Sequence, residues 1–78
     1  MKQVILVNSP RFELISYGSG IGYLLTNREI HKEVHVAGDD ADAFREEWEE
    51  HERMFPLKST DAVMAWMWDL YEAVAVNL

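Results

Sequence analysis

A histidine and glutamate pattern near the middle of the chain has the residue types that bind metal ions. His31, Glu33 and His35 are spaced two apart, and on a β-strand residues two apart point to the same face. Imidazole and carboxylate groups are common zinc ligands, so the three side chains are candidate ligands. We favour a simpler interpretation, the solvent-facing side of a strand whose alternate residues, Val34 and Val36, are buried. The sequence therefore predicts no metal and no other cofactor, with this trio as the minor alternative.

Other residues that could take part in catalysis lack the sequence context that catalysis requires. The chain has no cysteine, and none of its serines stands at a recognisable strand-to-helix elbow. The glycine-rich segment Gly18-Ser19-Gly20-Ile21-Gly22 joins two predicted strands, whereas a phosphate-binding loop leads into a helix. We interpret this segment as a hairpin turn. The sequence therefore predicts a protein that is not an enzyme.

The negative charge of the chain is concentrated in its second half. The net charge is −7, but residues 1–38 carry +1 and residues 39–78 carry −8. Residues 39–55 alone carry −6, from eight acidic side chains and two arginines. Because contacts with phosphates depend on Lys and Arg, we predict no direct binding to nucleic acid.

The 78 residues predict a single domain, residues 1–78, that positions these groups in two halves. Residues 1–38 predict an antiparallel β-meander, and residues 39–78 predict two α-helices packed on one face of it. The meander has four strands, or three if Ser9-Pro10 does not separate the first two. The expected strands are Gln3–Asn8, Arg11–Tyr17, Ile21–Thr26 and Glu33–Ala37. The predicted fold class is therefore α+β.

The first helix shows the clearest apolar periodicity. Asp39 or Asp40 is expected to cap it, and Pro56 is expected to end it. The residues that recur at helical spacing, and that should face the core, are Ala41, Phe44, Trp48, His51 and Phe55.

The second helix is expected to begin with Ser59, Thr60 or Asp61 as its cap and to continue to about Val76. Apolar residues cover well over half of its circumference, whereas an ordinary surface helix has an apolar stripe about 100° wide. This pattern predicts either that the helix lies between the sheet and the first helix, or that one of its edges contacts a partner.

The acidic face of the first helix is the main candidate for a binding site. Carboxylates about 5–6 Å apart along a helix resemble a row of phosphates, and they would fit a basic surface of another protein. Trp68, Tyr71 and Met64 are candidate apolar anchors beside them; core packing is the alternative for these three. A merely solvated helix face is the alternative for the acids, which are Asp39, Asp42, Glu46, Glu49 and Glu50.

The chain resembles small phage-encoded inhibitors of the anti-CRISPR type. The resemblance lies in the size, the absence of cysteine, the meander followed by helices, and the acidic run DDADAFREEWEE at residues 39–50. It implies a phage or mobile-element origin and a non-enzymatic inhibitor that occupies a basic surface of a host CRISPR-Cas effector. These proteins share no common motif, so no functional residue is transferred by position.

A homo-oligomeric structural or accessory domain that associates through the second helix is the alternative function. Interfaces favour Trp, Tyr and Met, which this helix contains. The apolar run near the amino terminus is too short for a signal peptide or a membrane span. The expected location is therefore the cytoplasm, and the resemblance to phage-encoded inhibitors implies the cytoplasm of a bacterial host.

Overall fold

A computed structural model, which describes residues 2–18 and 21–78, shows an antiparallel sheet with two helices on one face. The strands follow one another across the sheet in chain order, and the predicted α+β class is confirmed. None of the described helices is both long and apolar enough to cross a membrane. The elements are β1 (Gln3–Asn8), β2 (Phe12–Tyr17), β3 (Gly22–Asn27), β4 (Lys32–Ala37), α1 (Asp39–Met54), α2 (Thr60–Tyr71), a 3₁₀ turn (Glu72–Val74) and β5 (Val76–Asn77).

Period-two alternation decides which side chains of the sheet are buried. Leu14 pairs with Leu25, and Leu25 pairs with Val34, so the three form a row across the inner face. All three are almost completely buried beneath the helices. The alternate residues of the same strands lie on the outer face, which neither helix covers.

The first two predicted strands are separate, which settles the strand count at Ser9-Pro10. The backbone N–H of Ser9 donates to the carbonyl of Phe12 at 2.8 Å, and the backbone N–H of Phe12 donates to Ser9 Oγ at 3.1 Å. The predicted hairpin between β2 and β3 includes Ser19 and Gly20, which lie outside the described residues.

Gly38, and not Asp39 or Asp40, caps α1, so that prediction was wrong. Gly38 has a φ of 60°, which glycine adopts without a steric cost. Its carbonyl accepts from the backbone N–H groups of Ala41 and Asp42 at 3.1 and 3.2 Å. Asp39 and Asp40 are the first residues of the helix itself, where their negative charges interact favourably with the positive end of the helix dipole.

The second helix is shorter than predicted. Ser59 is its cap and accepts from the backbone N–H of Ala62 at 3.1 Å. The α-helix ends at Tyr71, and the chain then returns to the sheet, where Val76 pairs with Glu33. The backbone groups of residues 76 and 77 therefore form hydrogen bonds with the free edge of β4 instead of with a further turn of α2.

The broad apolar surface of α2 is explained by two neighbours. The helix lies beside α1 on the sheet: α1 packs against β4, α2 packs against β2, and the helices contact each other. It does not lie between the sheet and α1, so that alternative was wrong. The residues it buries are Val63, Met64, Met67 and Trp68, and Trp66 packs on α1.

Candidate functional site

The acidic side chains predicted to bind a partner form an exposed row along α1, here called the acidic ridge. The side chains that form it are all exposed to solvent: Asp39, Asp42, Glu46, Glu49 and Glu50. Arg45 lies among them, with Nη2 3.7 Å from Asp42 Oδ1 and Nε 3.8 Å from Glu49 Oε1. The three side chains are about half exposed or more, so solvent screens both pairs. The ridge therefore keeps most of its negative character.

Two of the three predicted anchors lie in the hydrophobic core. Met64 and Trp68 are buried, and the Trp68 ring lies 6.4 Å from the Phe12 ring of the sheet. Their prediction as partner-binding residues was wrong, because this edge of α2 faces the sheet. The helical wheel alone could not show which apolar edge the sheet would cover.

Tyr71, the third predicted anchor, joins the two helices. Its ring lies 5.2 Å from the Phe44 ring, and its hydroxyl donates to Glu47 Oε1 at 3.3 Å. Burial, followed by the charge of Glu47, raises the pKa of Tyr71 to about 12. Tyr71 is therefore a half-buried internal contact next to the acidic ridge.

Three exposed apolar side chains follow the acidic ridge where α1 ends. Met54, Phe55 and Leu57 are exposed, Leu57 completely, and we call them the apolar corner. Phe55 was expected on the buried stripe, and this was wrong. The helix ends at Met54, and Phe55 has non-helical φ and ψ angles of −129° and 65°. Its side chain therefore does not continue the buried stripe of α1. The apolar run at a helix-ending proline is the sequence signal for this corner.

A hollow of about 500 Å³ separates the apolar corner from α2. His51 forms its floor; it is 5 % exposed, and its ring stacks on that of Trp66 at a centroid distance of 4.0 Å. The Phe55 ring lies 4.8 Å from the His51 ring on the other side. The residues that line the hollow are Glu47, Glu50, His51, Met54, Phe55, Lys58 and Trp66.

The hollow already holds a cationic group. Lys58 Nζ lies 2.8 Å from His51 Nε2 and 5.4 Å from the centroid of the Phe55 ring. Burial, followed by the charge of Lys58, lowers the pKa of His51, so the imidazole is neutral at pH 7. Because an ammonium can only donate, Nε2 accepts and Nδ1 carries the proton. Aromatic rings with carboxylates at the rim are suited to cations.

The three candidate metal ligands of the minor alternative, His31, Glu33 and His35, do not lie together on one strand face. His31 precedes β4 in a turn, with a φ of 53°, and is not a strand residue. Glu33 and His35 lie on the outer face of β4, and the centroid of the His35 ring is 5.8 Å from that of the Tyr17 ring. Over residues 2–18 and 21–78, no three or more His, Cys, Asp and Glu side chains are close enough to share a metal ion.

Comparison of the chain with protein-family models, curated proteins and solved structures gives no match. The geometry of the acidic ridge, the apolar corner and the hollow is therefore the basis of the functional proposal.

Proposed function

We propose that this protein is a non-enzymatic binding module that docks on a basic surface of another protein. One observation carries the proposal: the exposed acidic ridge of α1 continues directly into the exposed apolar corner. Charged rims and apolar anchors contribute differently to association. Complementary charges raise the association rate and exclude wrong partners, whereas desolvated apolar anchors supply most of the affinity.

The partner class follows from the ridge and from the resemblance to small phage-encoded inhibitors. Carboxylates in a row along a helix present repeated negative charge to a surface that otherwise binds phosphates. We propose that the partner is a host CRISPR-Cas effector subunit and that the protein inhibits it by occupying a basic nucleic-acid-binding or partner surface. Capture from a host lysate followed by mass spectrometry would identify the subunit.

The acidic ridge is tested by charge reversal with a matched control. The triple variant Glu46→Lys, Glu49→Lys and Glu50→Lys should weaken binding to the captured partner by tenfold or more, mainly through a slower association rate. A control that reverses three exposed acids outside the ridge changes the net charge equally; these are Glu52, Asp69 and Glu72. If the ridge variant binds as tightly as the control variant, the ridge is not the binding surface.

The apolar corner is tested separately. Replacing Phe55 and Leu57 with serine should increase the dissociation rate and leave the association rate nearly unchanged. Leu57 is completely exposed, but Phe55 also contacts the His51 ring, so the single variant Leu57→Ser, whose free energy of unfolding should change little, is measured alongside. Equal dissociation rates for the wild type and this double variant would remove the corner from the proposal.

The structure gives less support to self-association through the second helix. In α2, Leu70 is the large apolar side chain that remains exposed. One exposed leucine is ordinary for a monomeric surface. We therefore do not assign an interface to this helix.

A further inference from the structure

The outer face of the sheet carries an apolar row that no element of the described chain covers. Ile5 pairs with Ile15, Ile15 with Leu24, and Leu24 with His35, so the four side chains form one row across four strands. Both helices pack on the opposite face. Ile5 is 59 % exposed, and Ile15 and Leu24 are partly exposed in the middle of the sheet.

A hollow adjoins this row at the β3–β4 side. Gly22 pairs with both Tyr17 and Ala37, and the small side chains at positions 22 and 37 leave a depression of about 440 Å³. Tyr17 and His35 form its walls, and exposed Ile21 stands at its rim. The outer face thus has a projecting aliphatic side chain at one edge and an apolar hollow toward the other.

We propose that this outer face is a self-association surface on which a second copy of the chain packs sheet against sheet. A two-fold axis along the strands, between β2 and β3, places β1 of one copy over β4 of the other. Rotation about this axis keeps each row in place, so Ile5 of each copy packs against His35, a wall of the partner's hollow, and Ile15 packs against Leu24. A closed pair of this kind uses the same patch twice, as two-fold interfaces do.

The charge distribution permits this pairing in spite of the net charge of −7. Residues 1–38, which include the four strands in contact, carry only +1. On the outer face Glu13 and Glu33 lie in the row beside the apolar one, and Glu13 is paired with Arg28 at 3.3 Å. The acidic ridges lie on the helical layers, on opposite outer sides of the assembly. Packed sheets are about 10 Å apart, and each helix layer adds a similar distance, so the ridges are separated by more than the Debye length of about 8 Å. Repulsion between them is therefore screened.

The area of the face is sufficient for a moderate dimer. Four six-residue strands, about 4.8 Å apart and rising about 3.3 Å per residue, span about 400 Å² in projection. The accessible area of protruding side chains exceeds the projected area. Two faces together therefore approach the roughly 1,000 Å² that a specific interface needs, which is the size range of weak or transient dimers.

Size-exclusion chromatography with light scattering over a wide concentration range tests the proposal. The wild-type chain of 9.1 kDa should reach twice that mass at high concentration, and the dimer should persist in high salt. Leu24→Arg should remain monomeric, whereas Leu70→Arg, the matched substitution on exposed α2, should dimerise like the wild type. A wild type that stays monomeric overturns the proposal, as does a dimer that Leu24→Arg retains or that salt dissolves.

A second variant tests the same interface in case Leu24→Arg does not fold. Ile5→Ser changes an exposed side chain at the sheet edge, so the fold should be retained, as judged by circular dichroism. Because the two-fold dimer contains Ile5 twice, the substitution should raise the dissociation constant of the dimer about a hundredfold, the effect of removing two buried aliphatic side chains. An unchanged constant in folded Ile5→Ser overturns the proposed packing. Neither variant alters the acidic ridge, so this result is independent of the proposed function.

Discussion

Asp61 connects the start of α2 to the turn between β1 and β2. Its Oδ1 accepts from Ser9 Oγ at 2.7 Å, and its Oδ2 accepts from Nε and Nη2 of Arg11, each at 2.5 Å. These contacts join residues about fifty positions apart in the chain. We predict that Asp61→Ala is among the more destabilising substitutions of a polar side chain in this protein.

The expected loss follows from the exposure of the partners. A hydrogen bond to a charged group contributes about 1.5–3 kcal/mol, but the Asp61 and Arg11 side chains are 26 % and 41 % exposed. Solvent screening reduces the ion pair toward the surface value of at most about 1 kcal/mol. With a similar contribution from Ser9, Asp61→Ala should cost about 2 kcal/mol. In a domain of this size that lowers the midpoint of thermal unfolding by about 10 °C.

Thermal and urea unfolding of Asp61→Ala and of the control Asp69→Ala measure this difference. Asp69 is an exposed acid on the same helix, so the control makes the same substitution without the tertiary contacts. The bonds from Ser9 and then Arg11 lower the pKa of Asp61 below 3.8. Its stabilising effect should therefore be present above the ordinary carboxyl pKa and disappear as the pH falls below it. Equal midpoints for the two variants at neutral pH would refute this reasoning.

Three further substitutions test other parts of the fold. Met64→Ala should lower the free energy of unfolding by about 2–5 kcal/mol, measured by urea titration, because the methionine is completely buried. Gly38→Ala should cost about 1 kcal/mol by the same measurement; an added Cβ meets no atom within 4 Å, so the cost comes from the φ of 60° alone. Because the pKa of His51 is lowered from 6.5, its contribution to stability is present above that value and is lost as the pH falls below it. His51→Phe should make the midpoint of thermal unfolding less dependent on pH between about pH 5 and pH 7. An unchanged pH dependence would contradict the buried environment assigned to His51.

Local patterns were sufficient for the elements whose partners are near in sequence. The alternation at Val34 and Val36 correctly identified the buried side of β4, because each strand pairs with the strand that precedes it in the chain. Helical spacing likewise identified Phe44 as a core residue of α1. The acidic ridge was also recoverable, since charged residues opposite an apolar stripe face solvent.

Features that depend on distant contacts could not be predicted from the sequence. Asp61 was an acceptable cap by residue type, but Ser59 takes that role and Asp61 bonds to Ser9 and Arg11. The burial of Trp68 depends on which side of α2 faces the sheet. The outer apolar row is likewise invisible in the sequence, because each strand contributes only one side chain to it.

The return of the chain to the sheet at β5 determines when folding can finish. The hairpins of β1 to β4 join residues close in sequence, so they can form early and at a small loop-closure cost. The pairing of Glu33 with Val76, and the bond from the backbone N–H of Leu78 to the His31 carbonyl, must wait until both helices have been synthesised. During translation the outer edge of β4 therefore remains open to pairing with other chains. β5 pairs with the first two residues of that edge, Lys32 and Glu33, so trimming β5 should increase aggregation by leaving them unpaired.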